Sequence, residues 1–300
     1  MSSPERAHRA PSQPLPPRAA DCHMHVFGPF AHFPLAPERA YNVAEAPLAA
    51  HEKMKRAVGL ERTVLVQASG HGIDNRALLA ALAQLGPRGR AVAVIEPQTP
   101  RRELESLHAA GVRGLRLNFQ TLRERYAGDA GSWFAKFEEL AAPLGWHLQL
   151  FCGADMLAGM ESVLLNSKTP VVIDHMGLPD AGAGVAQPGF QAVLRLLRSG
   201  NVWVKLAGAD RITRGTGNLR DAIPYMQALA SAAPERLVWG SDWPNIGFHS
   251  RQPVHDDEIL PYRELDAGEL LDILAEAIPD QATRRAILAD NPQRLYGFGR

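Results

Sequence analysis

The sequence predicts a (β/α)8 barrel in a single domain, and three observations carry that prediction. Eight short apolar or β-branched runs recur along the 300 residues. Each run gives way to a longer segment, many of them rich in alanine and leucine, with apolar residues three and four apart, the period of an amphipathic helix. Such alternation builds βα units and therefore a parallel sheet. No Gly-x-Gly-x-x-Gly follows the first run, and eight units exceed what most open sheets use, so a doubly wound open sheet stands second.

The runs are "AADCHMHV" (19–26), "RTVLVQAS" (62–69), "RAVAVIE" (90–96) and "GVRGLRLNF" (111–119). They continue with "GWHLQLFC" (145–152), "PVVIDHMG" (170–177), "NVWVKLAG" (201–208) and "ERLVWGSDWP" (235–244). Between them lie helical stretches such as "NRALLAALAQLG" (75–86), "RRELESLHAAG" (101–111) and "FQAVLRLLRSG" (190–200), each ending in the glycine that stops a helix. A last pair, "GELLDILAEAIPD" and "QATRRAILADNPQRLYGF", closes the outer helical layer. Ahead of the first run, residues 1–19 hold five prolines, several charges and no apolar stretch of the secretory kind. They are expected to be a disordered tail, with the barrel occupying 20–300.

Composition excludes several function classes. The 32 basic and 32 acidic residues balance, so no electrostatic case exists for nucleic acid or an anionic membrane. No apolar run approaches the ~20 residues needed to span a bilayer. Two cysteines, Cys22 and Cys152, build no disulfide framework and suit a reducing, cytoplasmic location.

Chemistry in a barrel of this kind sits at the C-terminal ends of the strands. There the sequence lines up His23 and His25, Ser69 with His71 beyond, Arg116 and Asn118, Asp174 and His175, Asp210 and Arg211, then Ser241, Asp242 and Asn245. Strand alternation puts His23 and His25 on one face, with Cys22 and Met24 on the other. One such residue is ordinarily a solvated rim residue. The convergence of so many on one mouth points to an active site, and against a non-catalytic scaffold.

"DCHMHVFGP", "GVRGLRLNF", "VVIDHMGLPD", "VWVKLAGADR" and "LVWGSDWP" together resemble the amidohydrolase superfamily (amidohydrolase family 2). Within it they are most similar to the 2-pyrone-4,6-dicarboxylate lactonase group, over a stretch running from about residue 20 to the C-terminal "ILADNPQRLYGF". The resemblance implies a (β/α)8 hydrolase that opens a cyclic ester bearing carboxylates, such as 2-pyrone-4,6-dicarboxylate or a muconolactone-type compound from aromatic catabolism. Metal-dependent relatives add a histidine at the end of strand five or a bridging lysine on strand four. Strand five here ends in Gln149, Leu150, Phe151 and Cys152, its one histidine, His147, comes early, and strand four has no lysine. Operation without a cofactor is therefore expected. The alternative is a mononuclear Zn2+ or Mn2+ held by His23, His25, His175 and Asp242, serving a decarboxylase or a sugar-acid lactonase.

Lactone hydrolysis needs a base for water and donors for the developing oxyanion. Asp242 is assigned the base, and His23, His25 and His175 the polarisation of the carbonyl. The alternative for Asp242 is a helix N-cap. A planar guanidinium grips carboxylate through two parallel hydrogen bonds, so arginines at the mouth fit an acidic ligand. Arg116 and Arg211 are the first choices, by strand position and by similarity to the lactonase group. Arg123 or Arg125 follows in the loop after strand four, while Arg113 is expected to be structural. Ser69, Tyr41 and Asn245 are lesser substrate-binding candidates.

Overall fold

The computed structural model describes residues 6–121, 125–248 and 258–299. Its barrel strands are β1 (Ala20–Met24), β2 (Arg62–Val66), β3 (Gly89–Ala93), β4 (Val112–Asn118), β5 (His147–Phe151), β6 (Val171–Ile173), β7 (Val202–Leu206) and β8 (Leu237–Trp239). Each pairs in parallel with the next in chain order. The seam is closed by a parallel bridge between Met24 and Trp243 and by two hydrogen bonds, His25 N–H to the Trp243 carbonyl (2.8 Å) and Asp242 N–H to the His23 carbonyl (2.9 Å). This is the (β/α)8 barrel the sequence predicts.

Around it lie α1 (Leu48–Val58), α2 (Arg76–Leu85), α3 (Arg101–Ala110) and α4 (Ala130–Ala141), followed by the short α5 (Ala154–Gly159) and α6 (Glu161–Leu165). The ring continues with α7 (Pro188–Arg198), α8 (Ala209–Ile212), α9 (Ile223–Ala232), α10 (Ala267–Ala277), α11 (Gln281–Arg285) and α12 (Asn291–Tyr296). Their apolar stripes pack on the outer faces of the strands. In α7, for example, Phe190, Val193, Leu194, Leu196 and Leu197 are all buried. Inside, Ala20, Cys22, Val64, Val66, Val92, Val172, Trp203 and Val238 fill the lower barrel, with Tyr296 and Phe298 from the C-terminal segment packed among them. Both cysteines are buried and unpaired. Among the described residues, no helix is long and apolar enough to cross a membrane.

One expectation changes. Asp21 pairs with Thr63 but Met24 with Leu65, so β1 spends one more residue than β2 over this stretch, a β-bulge. Strict alternation is thereby broken: Cys22 stays inside with the valines, His23 also turns inward, and Met24 joins the cluster outside the strands. From Arg6 onward, the proline-rich N-terminal segment runs along α10. Ser12 donates to Asp272 from its backbone N–H (2.7 Å) and its hydroxyl (3.0 Å), and Arg9 meets the same carboxylate at 2.6 Å. Proline restricts the unfolded chain, so such a strap needs few contacts to stay in place.

Candidate active site

Asp242 stands at the centre. It follows β8 in a left-handed backbone conformation (φ 57°), as does His175 after β6 (φ 50°). Non-glycine residues rarely adopt this conformation, and such residues cluster where structure serves function. Its Oδ1 lies 3.8 Å from His23 Nε2, 3.9 Å from His25 Nε2 and 3.9 Å from His175 Nε2, and makes no hydrogen bond among the described residues. Its Oδ2 accepts from Arg211 Nε (2.7 Å) and Arg263 Nη2 (3.1 Å). One oxygen is thus anchored by two guanidiniums, and the other faces three imidazoles. All four residues are buried. Burial holds the three imidazoles below their ordinary pKa, His25 and His175 well below, so they are neutral at pH 7.

A neutral imidazole carries one N–H, and its second-nitrogen partner decides which nitrogen bears it. His25 Nδ1 lies 2.8 Å from the Val66 carbonyl, which only accepts, so Nδ1 holds the proton and Nε2 offers a lone pair to the site. His25 therefore lacks the inward N–H expected of it for polarising a carbonyl. His23 differs, because its Nδ1 lies between a donor, Lys205 Nζ at 3.3 Å, and an acceptor, Asp174 Oδ1 at 3.2 Å.

Under the imidazoles runs a buried polar network. Arg116 reaches Asp174 Oδ2 through Nε and Nη2, both at 3.1 Å, and stacks over the Phe151 ring with 4.9 Å to its centroid. Gln149 Nε2 donates to the same oxygen (3.1 Å), and Gln149 Oε1 accepts from Lys205 Nζ (2.7 Å). Burial raises a carboxyl pKa, but His23, Lys205 and Arg116 outweigh it and hold Asp174 well below the ordinary range. Arg116, expected on a substrate carboxylate, is instead committed to Asp174. Arg211 matches its assignment better, because only its Nε is used and its terminal nitrogens make no hydrogen bond among the described residues.

The remaining candidates divide. Tyr41 and Ser69 hydrogen-bond each other (2.7 Å). Asn245 is occupied with structure: its amide donates to the Ser241 and Asp242 carbonyls, and its Oδ1 accepts from Arg6 (2.8 Å). Asn118 caps its own turn by accepting from Gln120 and Thr121 N–H. His71 bonds the Pro34 carbonyl (3.1 Å). Arg125 pairs with Glu96 at 2.7 Å, Arg113 bonds the His108 carbonyl at 2.9 Å, and Arg123 lies outside the described residues. Ser241 turns from the mouth to donate to Asp21, which also holds His51 of α1 at 3.0 Å. His51, Lys205 and Arg263 escaped the sequence reading. The one signal was a lysine inside the apolar run "NVWVKLAG"; Arg263 and His51 sit in no motif.

The donor types around Asp242 Oδ1, imidazole nitrogens and a carboxylate oxygen, are those Zn2+ takes, and ligand atoms of His23, His25 and Asp242 lie within 4.8 Å of one another. A ligating histidine donates its other N–H to an acceptor. His25 has that frame at the Val66 carbonyl, while His23 Nδ1 lies between Asp174 Oδ1, which could accept its proton, and Lys205 Nζ, which opposes it.

The profile of the amidohydrolase family matches residues 20–298. The 4-sulfomuconolactone hydrolase of Rhizobium radiobacter is 37% identical over 97% of this chain and 94% of its own length. The 2-pyrone-4,6-dicarboxylate hydrolase of Comamonas testosteroni is 34% identical over 95% of this chain and 93% of its own. A solved structure from Pseudomonas putida superposes with a TM-score of 0.77 at 32% identity, covering 95% of this chain and all of that one. The chain belongs to the amidohydrolase family.

Proposed function

We propose that the protein hydrolyses a lactone carrying carboxylate or similar acidic groups, of the 2-pyrone-4,6-dicarboxylate or muconolactone type. The observation that carries this reading is Asp242, with one oxygen anchored by Arg211 and Arg263 and the other unbonded among three neutral imidazoles. A carboxylate so oriented takes a proton from water at Oδ1 as that water attacks the ester carbonyl. The developing oxyanion receives the Nε2–H of His23, and the lone pair on His25 Nε2 accepts from the water. Ring opening then expels the ring oxygen, which leaves as an enol or alcohol after taking up a proton. The free ends of Arg211 meet a substrate carboxylate. The electrostatics agree: Arg116, Lys205, Arg211 and Arg263 outnumber Asp174, Asp210 and Asp242 by one, a positive excess that draws an anion. The names of the relatives point the same way. The reducing cytoplasm suggested by two free cysteines belongs to the same reading.

A second reading is a mononuclear Zn2+ or Mn2+ enzyme, a decarboxylase or sugar-acid lactonase, and the lone pair on His25 Nε2 favours it. A bound ion would supply Lewis acidity at the carbonyl. The deciding experiment is a hydrolysis screen of carboxylated, sulfonated and sugar-acid lactones, with and without a chelator, beside elemental analysis of the purified protein. Turnover of an acidic lactone that survives chelation is expected. Failure across the panel overturns the lactonase, and activity lost to chelator and restored by metal selects the second reading.

A further inference from the structure

We propose that Lys205 is a positioning residue that fixes the tautomer of His23, making it a hydrogen-bond donor toward the reacting carbonyl and setting it against metal ligation. The role assigned to the carbonyl rests on the lactonase reading; the tautomer itself does not.

Lys205 is fully buried in β7, pointing into the barrel beneath the imidazoles. Its amine has two hydrogen-bond partners, Gln149 Oε1 at 2.7 Å and His23 Nδ1 at 3.3 Å, and forms an ion pair with Asp174 Oδ1 at 3.5 Å. An ammonium has three N–H groups and no lone pair, so in the hydrogen bond between the two residues His23 Nδ1 accepts. The surroundings of this amine, a carbonyl oxygen, an imidazole nitrogen and a carboxylate, suit an ammonium. With Nδ1 accepting, the ring proton of neutral His23 sits on Nε2, the nitrogen that faces Asp242 Oδ1 at 3.8 Å.

The competing arrangement is visible in the same atoms. Asp174 Oδ1 lies 3.2 Å from His23 Nδ1, near enough to accept an Nδ1–H, yet it completes no hydrogen bond in this geometry. If Lys205 were absent, that carboxylate would take the Nδ1–H and turn the Nε2 lone pair toward the site, the frame His25 already has. Lys205 therefore separates two uses of one histidine pair. With it, His23 donates and His25 accepts. Without it, both offer lone pairs, as a metal centre requires. A cation behind His23 also opposes a second cation in front of it.

The test uses the full-length protein with its histidine rings labelled with 15N, and two-bond 1H–15N correlation at pH 7, His23 being assigned by its loss in His23→Gln. The wild type is expected to give the Nε2–H pattern at His23 and Lys205→Met the Nδ1–H pattern. Zn2+ titrated alone should bind Lys205→Met at least 10-fold more tightly. On a lactone substrate, kcat should fall at least 10-fold with KM changed less than 3-fold, and Lys205→Arg, which keeps a donor, should recover part of the loss. An Nδ1–H pattern in the wild type overturns the proposal without any variant having to fold. An unchanged pattern or unchanged Zn2+ affinity in a folded Lys205→Met also overturns it. A protein that opens no lactone but gives the Nε2–H pattern retains the Lys205 assignment and loses the lactonase reading.

Discussion

Arg211 Nε holds Asp242 Oδ2 at 2.7 Å, which turns the carboxylate's second oxygen into the space between His23, His25 and His175. Replacing Asp242 by Asn keeps an acceptor for the arginines but removes the base. Turnover should fall about 100- to 10,000-fold, the usual worth of general base catalysis. Steady-state kinetics beside a thermal melt checks this, and near-normal turnover in a folded variant would remove Asp242 from the base role.

Arg116 and Arg211 should respond differently to the same change. Arg211→Met should raise KM for an acidic lactone more than 10-fold and also lower kcat, because it loses the substrate contact and the anchor of the base. Arg116→Met leaves Asp174 buried without its guanidinium, a loss of the kind that costs about 3–5 kcal/mol, softened here by Lys205. Urea unfolding of both variants distinguishes them. Equal stability with a KM effect at Arg116 would return it to the substrate.

Acid should weaken the fold before it reaches the carboxylates. Burial depresses His23, His25 and His175, and takes His147 down to about 3, whereas unfolded histidine titrates near ~6.5. Below that value the unfolded chain binds protons that the native chain refuses, so the stability present above ~6.5 is lost as pH falls toward the folded values. Each such group contributes a slope of about 1.4 kcal/mol per pH unit. Asp21 and Asp174 are also depressed, and their contribution is lost only below about pH 4. Urea midpoints should drop steadily from pH 6.5 to 4.5; a flat profile would mean the imidazoles are charged in the native state.

Arg6 ties the N-terminal strap to the loop that carries the base, through Asn245 Oδ1 (2.8 Å) and the Arg263 carbonyl. Arg6→Ala should cost about 1–2 kcal/mol, typical of a lost charged hydrogen bond. In a domain of this size that is a drop of several degrees in Tm, at about 2–4 °C per kcal/mol. An unchanged Tm would make the strap a passive rider.

The barrel was legible because period and spacing are local properties of the chain, and a rim histidine is legible because strands alternate. The bulge in β1 was not, since it depends on register against β2, and it reversed the face of Cys22. Pairings were hidden for the same reason. Arg116 and Arg211 look alike in sequence, but only a folded barrel brings Asp174 across to the first and leaves the terminal nitrogens of the second without a hydrogen bond among the described residues. Lys205 was concealed by its apolar neighbours, and Arg263 by its distance along the chain.

The seam between β8 and β1 joins segments far apart in sequence: Ser241 bonds Asp21 across 220 positions. Base and imidazole pair are thus brought together only where the eighth barrel strand meets the first. A chain that stops before β8 lacks Asp242 and has no catalytic centre. Turnover therefore reports completion of the barrel, and an assay of activity during refolding would time the docking of that final strand.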